Sequence, residues 1–144
     1  MKIRKAKKEN FKEIAKIYAE AFSEPPYGES WTNTKALKQI NRFSKYCYIW
    51  EILYEKILVG FIVINPNFWF PGKFCFVEDI AIKKEFRGKG IGTKVLNNIL
   101  GIYKKRGFKK LIMITNIKSR AYKLYKKIGI LPSKEDILIE RSLK

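Results

Sequence analysis

Histidine is missing from this 144-residue chain, and cysteine occurs only at Cys47 and Cys75. The first absence rules out catalysis by Ser-His-Asp or Cys-His sets and counts against a zinc enzyme, so no metal is expected. Both cysteines sit inside apolar stretches that read as strands, where a reduced core thiol is expected rather than a disulfide, a metal pair or a nucleophile. Long apolar runs are lacking too. The longest one without a charge, Ile57 to Ile64, is too short to span a bilayer, and no basic start followed by an apolar segment opens the chain. No membrane partner is expected, and the chain reads as cytoplasmic. Acidic residues are scarce, 13 against 31 Lys and Arg, which leaves a formal net charge of +18. That surplus would attract RNA, an anionic membrane or a cofactor with several phosphates. The lysines are dispersed rather than blocked, so compositional bias accounts for them as well, and nucleic acid is the less favoured partner.

What is present is the composition of a folded domain, 47% apolar and 15% aromatic, of a length that suits one domain over residues 1–144. Lys2 to Lys5 alternates like an edge strand. Asn10 is placed to cap a helix carrying Phe11, Ile14, Ala15, Ile17, Tyr18, Ala21 and Phe22 at helical spacing, stopped by Pro25-Pro26 and Gly28. Ser30 or Thr32 opens a second helix with Leu37, Ile40 and Phe43. Tyr46–Leu53 and Ile57–Ile64 read as a hairpin turning at Tyr54-Glu55-Lys56, and Asn65–Lys73, with Phe68-Trp69-Phe70, reads as a loop. Later elements are a helix ending at Gly107, a strand at Leu111–Thr115, a helix from Ser119 to Ile128 ending at Gly129, and a last strand at Ile137–Leu143. The order β-α-α-β-β-β-α-β-α-β is that of an α/β domain with a mixed sheet and helices on both faces.

One stretch organises the rest. An apolar run, Phe74-Cys75-Phe76-Val77-Glu78-Asp79-Ile80-Ala81-Ile82, is broken by two adjacent carboxylates and leads into Arg87-Gly88-Lys89-Gly90-Ile91-Gly92-Thr93 and an amphipathic helix. Strand, glycine turn and helix N-terminus together suit a phosphate, because backbone N–H groups converge there and glycine keeps Cβ atoms out of the way. A dinucleotide fingerprint needs a third glycine where Thr93 stands and an acid near residues 110–115, which have none; the spacing of a P-loop is also absent.

The remaining pattern, R-x-x-G-x-G from Arg87 to Gly92, resembles the acetyl-CoA signature of the GCN5-related N-acetyltransferases, the GNAT superfamily. Farther on, Ala121, Leu124, Tyr125 and Gly129 resemble the superfamily's A-x-x-L-Y-x-x-x-G-F helix, with Ile130 in place of phenylalanine. The order of elements is similar over essentially the whole chain, which implies a mostly antiparallel, twisted GNAT sheet. The resemblance implies acetyl-CoA as cosubstrate. Its pyrophosphate would rest on the N–H groups of Arg87, Gly88, Lys89, Gly90, Ile91, Gly92 and Thr93, with Lys84, Arg87, Lys89 and Lys94 as nearby cations. Its pantetheine arm would pair with the strand at Ile80, Ala81 and Ile82, the Ile80 N–H facing the thioester carbonyl. The family's asparagine position, 118, holds lysine here, so Asn116 stands in as the nearest candidate.

Acetyl transfer to an amine needs a base and a proton donor for the leaving thiolate. Asp79 and Glu78 are the base candidates, since burial in an apolar strand raises a carboxyl's pKa toward neutrality. Strand periodicity puts them on opposite faces. A bulge common at this place in the superfamily blurs that parity, and relatives that acetylate aminoglycosides carry an aspartate at the place corresponding to Asp79, which ranks it first. Tyr125 is the general-acid candidate. Glu24, Tyr27, Glu29 and Trp31, where acids and aromatics occur together between the first two helices, are candidates for holding a cationic amine. A pocket closed by the Trp31 and Trp69 segments would favour a small molecule. The leading reading is an N-acetyltransferase moving acetyl directly from acetyl-CoA to a primary amine of a small molecule in a ternary complex. A protein N-terminus or lysine is the alternative acceptor, although Met113 replaces a glutamate that protein N-terminal acetyltransferases share. From another class, a non-catalytic RNA- or ribosome-associated module on the same scaffold also fits. Homodimers are frequent in the superfamily, so a homodimer is a further expectation.

Overall fold

The computed structural model describes residues 1–69 and 73–144. Five strands, β1 (Lys2–Lys5), β2 (Tyr48–Tyr54), β3 (Ile57–Trp69), β4 (Phe74–Ile82) and β5 (Lys110–Met113), form one sheet in sequence order. All neighbours pair antiparallel except β4 and β5, which are parallel. Helices α1 (Phe11–Ser23) and α2 (Asn33–Phe43) cover one face with Ile14, Tyr18, Ile40, Phe61 and Val63. The other face holds α3 (Ile91–Lys105) and α4 (Arg120–Lys127) over Ile52, Ile62, Ile64, Val77, Leu96 and Ile99. The mixed, mostly antiparallel sheet between two helical layers is the expected architecture. Among the described residues, no helix is long and apolar enough to cross a membrane.

Local chemistry explains most boundaries. Thr32 Oγ1 accepts the Lys35 N–H at 3.2 Å and Ser119 Oγ accepts the Tyr122 N–H at 3.1 Å, so both helices start on side-chain caps. Helices α3 and α4 end at Gly107 and Gly129, both with positive φ, and the N–H groups of Phe108 and Ile130 reach back to Tyr103 and Tyr125.

Four expectations need correction. Asn10 precedes α1 but makes no cap; its amide donates to Glu51 Oε1 at 2.7 Å. The hairpin turns on Glu55 and Lys56 alone, both with positive φ, which a turn without Asn or Gly does not advertise. Asn65–Trp69 is not a loop: β3 runs on through Pro66 to Trp69, paired with Phe74, while Phe70 lies outside the described residues. The final strand at Ile137–Leu143 does not form. After Gly129 the chain makes no further helix or strand, and Ile137, Ile139 and Leu143 stand more than 80% exposed. A β-prone run is a strand only when an edge pairs with it.

The buried charge of the fold is Glu51, fully enclosed on β2. It accepts from Arg4 Nε (2.8 Å), the Lys7 N–H (2.8 Å) and Asn10 Nδ2 (2.7 Å), tying β1 and the entry to α1 onto the sheet. Burial alone would raise its carboxyl, but these three donors hold it below the usual range. Replacement Glu51→Gln presents an amide group to donors that need acceptors. A loss of about 1–3 kcal/mol is expected, read as a lower urea midpoint with unchanged slope; an unmoved midpoint would show that the carboxylate does not hold the N-terminus.

Candidate active site

The site begins with one extra residue in β4. Val63 pairs with Asp79 and Ile64 with Val77, so Glu78 has no partner and forms a β-bulge. Before it, Cys75 and Val77 face α3 and α4; after it, Ala81 faces α1 and α2. The bulge therefore turns both Glu78 and Asp79 toward α1 and α2, which corrects the opposite-face expectation. The same point is where β5 ends: its last pair is Val77 with Met113, and the β4 edge from Glu78 to Ile82 has no strand beside it. The two parallel strands part there, and a cavity of about 330 Å³ opens between β4, β5, α1 and α4.

Asp79 sits at its inner wall. Tyr18 Oη, from α1, donates to Asp79 Oδ2 at 3.0 Å, while Asn65 Nδ2 donates to Glu78 Oε1 at 3.3 Å. Burial pushes the Asp79 carboxyl up to about 7; the Tyr18 hydrogen bond opposes this, and the charges of Glu78 and Glu29 add to it. Tyr125 lines the same cavity from α4, 6% exposed, and its hydroxyl has no hydrogen-bond partner among the described residues. Burial, then the nearby Tyr27 and Asp79, raises its pKa, so the phenol keeps its proton at neutral pH.

The glycine turn lies beyond the open strand edge. Gly88 and Gly90 take φ of +77° and +75°, a conformation costly for any residue with a Cβ, and α3 starts at Ile91 with no side-chain cap. Backbone N–H groups from Gly88 to Thr93 find no acceptor among the described residues. A run of free donors at a helix start has the chemistry to receive an anion. The run starts at Gly88 rather than Arg87, whose N–H bonds Lys84 O at 3.2 Å. The Arg87 side chain is also committed elsewhere, to Ile82 O at 2.8 Å and Glu24 Oε2 at 2.9 Å. Lys84, Lys89 and Lys94 are exposed beside the turn, and the Arg120 guanidinium, not anticipated from sequence, packs next to Gly88.

Comparison with known proteins now has a geometry to meet. The sequence profile of the acetyltransferase (GNAT) family matches residues 11–130. The chain belongs to this family. A bovine (Bos taurus) thialysine N-epsilon-acetyltransferase is 34% identical over 71 residues, which are 49% of this chain and 41% of that protein. The chain thus matches less than half the length of that curated relative. Among solved structures, a possible acetyltransferase from Clostridium difficile 630 superposes with a TM-score of 0.81 at 17% identity, covering 99% of this chain and 98% of that one. AAC(6')-Iy in complex with the bisubstrate analog CoA-S-monomethyl-acetylneamine superposes with a TM-score of 0.73 at 13% identity, covering 98% and 97%. At such identities these two likenesses speak for the fold.

Within this GNAT domain the cavity brings together Tyr27, Glu29, Glu78, Asp79, Ile80, Asn116 and Tyr125. Ala81 is buried against α1 and α2, and Ile80 and Ile82 pack toward α3 and α4. Asn116 spends its Oδ1 on the Lys118 N–H at 2.8 Å. Two acceptor candidates do not line the cavity. Glu24 is paired with Arg87, and Trp31 stands behind, its ring 4.7 Å from Tyr18 and its Nε1 donating to Glu29 Oε2 at 2.7 Å. Trp69 is exposed and closes nothing. Sequence reading missed Tyr18 and Phe22, taken as helix core, and Met113, Ile114 and Thr115 on the opposite wall. The signal for Tyr18 was a hydroxyl on an otherwise apolar helix face.

The Asp79 carboxyl is raised in the fold, so the linkage runs opposite to that of a salt-bridged acid. Its protonated form is favoured, and stability falls as pH rises from about 4 to about 7. The ionised form is disfavoured by at most about 4 kcal/mol. Asp79→Asn should therefore raise Tm by several degrees at pH 8 and change it little at pH 4; a difference independent of pH would remove the buried-acid assignment.

Proposed function

We propose that this GNAT domain is an N-acetyltransferase that uses acetyl-CoA to acetylate a primary amine of a small molecule. The observation that carries the reading is the meeting of Asp79 and Tyr125 in one cavity beside an unpaired strand edge and a turn of free N–H groups. The residues present fit the cosubstrate. Gly88 to Thr93 would hold its pyrophosphate, the edge of β4 at Ile80 and Ile82 would pair with its amide-bearing arm, and Lys84, Lys89, Lys94 and Arg120 would face its phosphates. Bound acetyl-CoA supplies an activated acetyl group as a thioester. Asp79, poised near pH 7, takes a proton from the acceptor's ammonium group, and Tyr18 holds its carboxylate in place. The Ile80 N–H, two residues past the bulge, would donate to a developing oxyanion. Tyr125 holds a phenol proton for a departing sulfur. A cavity of about 330 Å³ matches the size of a small amine.

Acetyl-CoA at 100 times its Kd should stabilise the protein by about 2.7 kcal/mol, seen as a higher Tm; no change at millimolar ligand would remove the cosubstrate. In an acetylation screen of amines read by thiol release, Asp79→Asn and Tyr125→Phe should each lower kcat about 10²- to 10⁴-fold with that thermal shift retained. The acidic limb of the wild-type kcat/KM profile should have its inflection near pH 7, activity rising as Asp79 ionises. Unchanged turnover in either variant removes the corresponding role.

A further inference from the structure

Resting on the acetyltransfer reading, we infer that the acceptor is an amine with at least two ammonium groups and no carboxylate, its second cation held by Glu29 and Glu78. Three acids, Glu29, Glu78 and Asp79, line the cavity, and no Lys or Arg does. In a chain with 31 basic residues a cavity lined by acids alone stands out, and the neighbouring Glu24 and Glu13 by contrast pair with Arg87 and Lys83. Among the described residues, none of the three cavity carboxylates is within ion-pair distance of a cation.

Each outer acid is also held in place by a neutral donor, Glu29 by the Trp31 indole at 2.7 Å and Glu78 by Asn65 at 3.3 Å. Neutral donors orient a carboxylate without cancelling its charge. Tyr18, Phe22 and Tyr27 line the same cavity and pack on one another, with Tyr18 4.7 Å from both Phe22 and Trp31. Aromatic faces and carboxylates together suit alkylammonium groups. Opposite them, Tyr125, 6% exposed as a residue, lines the cavity with a hydroxyl that has no hydrogen-bond partner among the described residues. A carboxylate on the acceptor would meet the acids Glu29 and Glu78, and Asp79 wherever it is ionised, with no cation lining the cavity to receive it, and like-charge contact costs affinity.

The test is a matched series with acetyl-CoA: 1,5-diaminopentane, 1-aminopentane, which lacks the second amine, and lysine, which adds a carboxylate to the diamine. The diamine should exceed both in kcat/KM by about tenfold or more, and Glu29→Gln with Glu78→Gln should bring diamine and monoamine together by raising KM for the diamine. Equal turnover of all three, or preference for lysine, overturns the inference while leaving acetyl transfer standing. No thiol release with any amine, together with no thermal shift from acetyl-CoA, overturns both.

Discussion

One residue too many in β4 decides the site. Without the Glu78 bulge the strand would alternate cleanly, one carboxylate would point into the α3–α4 layer, and the pairing with β5 could continue past Met113. With it, two acids share one face, the strand edge is left open, and the glycine turn follows directly on that open edge. A bulge bends its strand and increases the local twist, so the opening between the parallel strands and the pairing of the carboxylates have one cause. The fold accommodates this because β3, on the other side of β4, stays paired on both sides of the bulge.

Two buried or half-buried acids on the same sheet are shifted in opposite directions, and their neighbours explain why. Glu51 is enclosed by an arginine, a backbone N–H and an amide, so it stays ionised and fastens the N-terminal strand. Asp79 has one neutral donor and two acidic neighbours, so its ionised form is opposed. Burial is common to both; only the second acid lacks a cation. A strongly basic chain that keeps its lysines out of one cavity reserves local negative charge there against its own overall field.

Elements and caps were legible wherever a single residue has a local physical job. Thr32 and Ser119 cap helices, Gly107 and Gly129 end them, and the 3.6-residue spacing of Val95, Leu96, Ile99 and Tyr103 puts α3 on the sheet. The glycine turn was legible for the same reason. Features that depend on a distant partner were not. Asn10 looks like a cap until Glu51 arrives from 41 residues away, and Tyr18 looks like core until Asp79 faces it. Strand β3 continues through Pro66, a residue that reads as a break, because its neighbour Asn65 still pairs with Phe76. At the other end, Ile137–Leu143 has the residues of a strand and no edge to join. The acids between the first two helices divided in the same way: Glu29 reached the cavity, and Glu24 went to Arg87.

Arg87 shows how a motif residue can organise its surroundings through protein contacts alone. Its Nε fastens to the last carbonyl of β4, and its Nη1 fastens to Glu24 on the connection that carries Tyr27 and Glu29. Both partners of the ion pair are about one-third exposed, and at such exposure an ion pair contributes little to stability. Its value is positional: strand end, glycine turn and the connection carrying Tyr27 and Glu29 are held to one another by a single planar group. Phosphate affinity in the proposed cradle then falls to the backbone N–H groups from Gly88 to Thr93 and to several mobile cations around them. The N–H groups are fixed by the fold and lose no rotamer freedom on binding, while Lys84, Lys89 and Lys94 are exposed and interchangeable. That division makes the glycines and Arg87 the sensitive part of the turn, and each lysine alone a minor one.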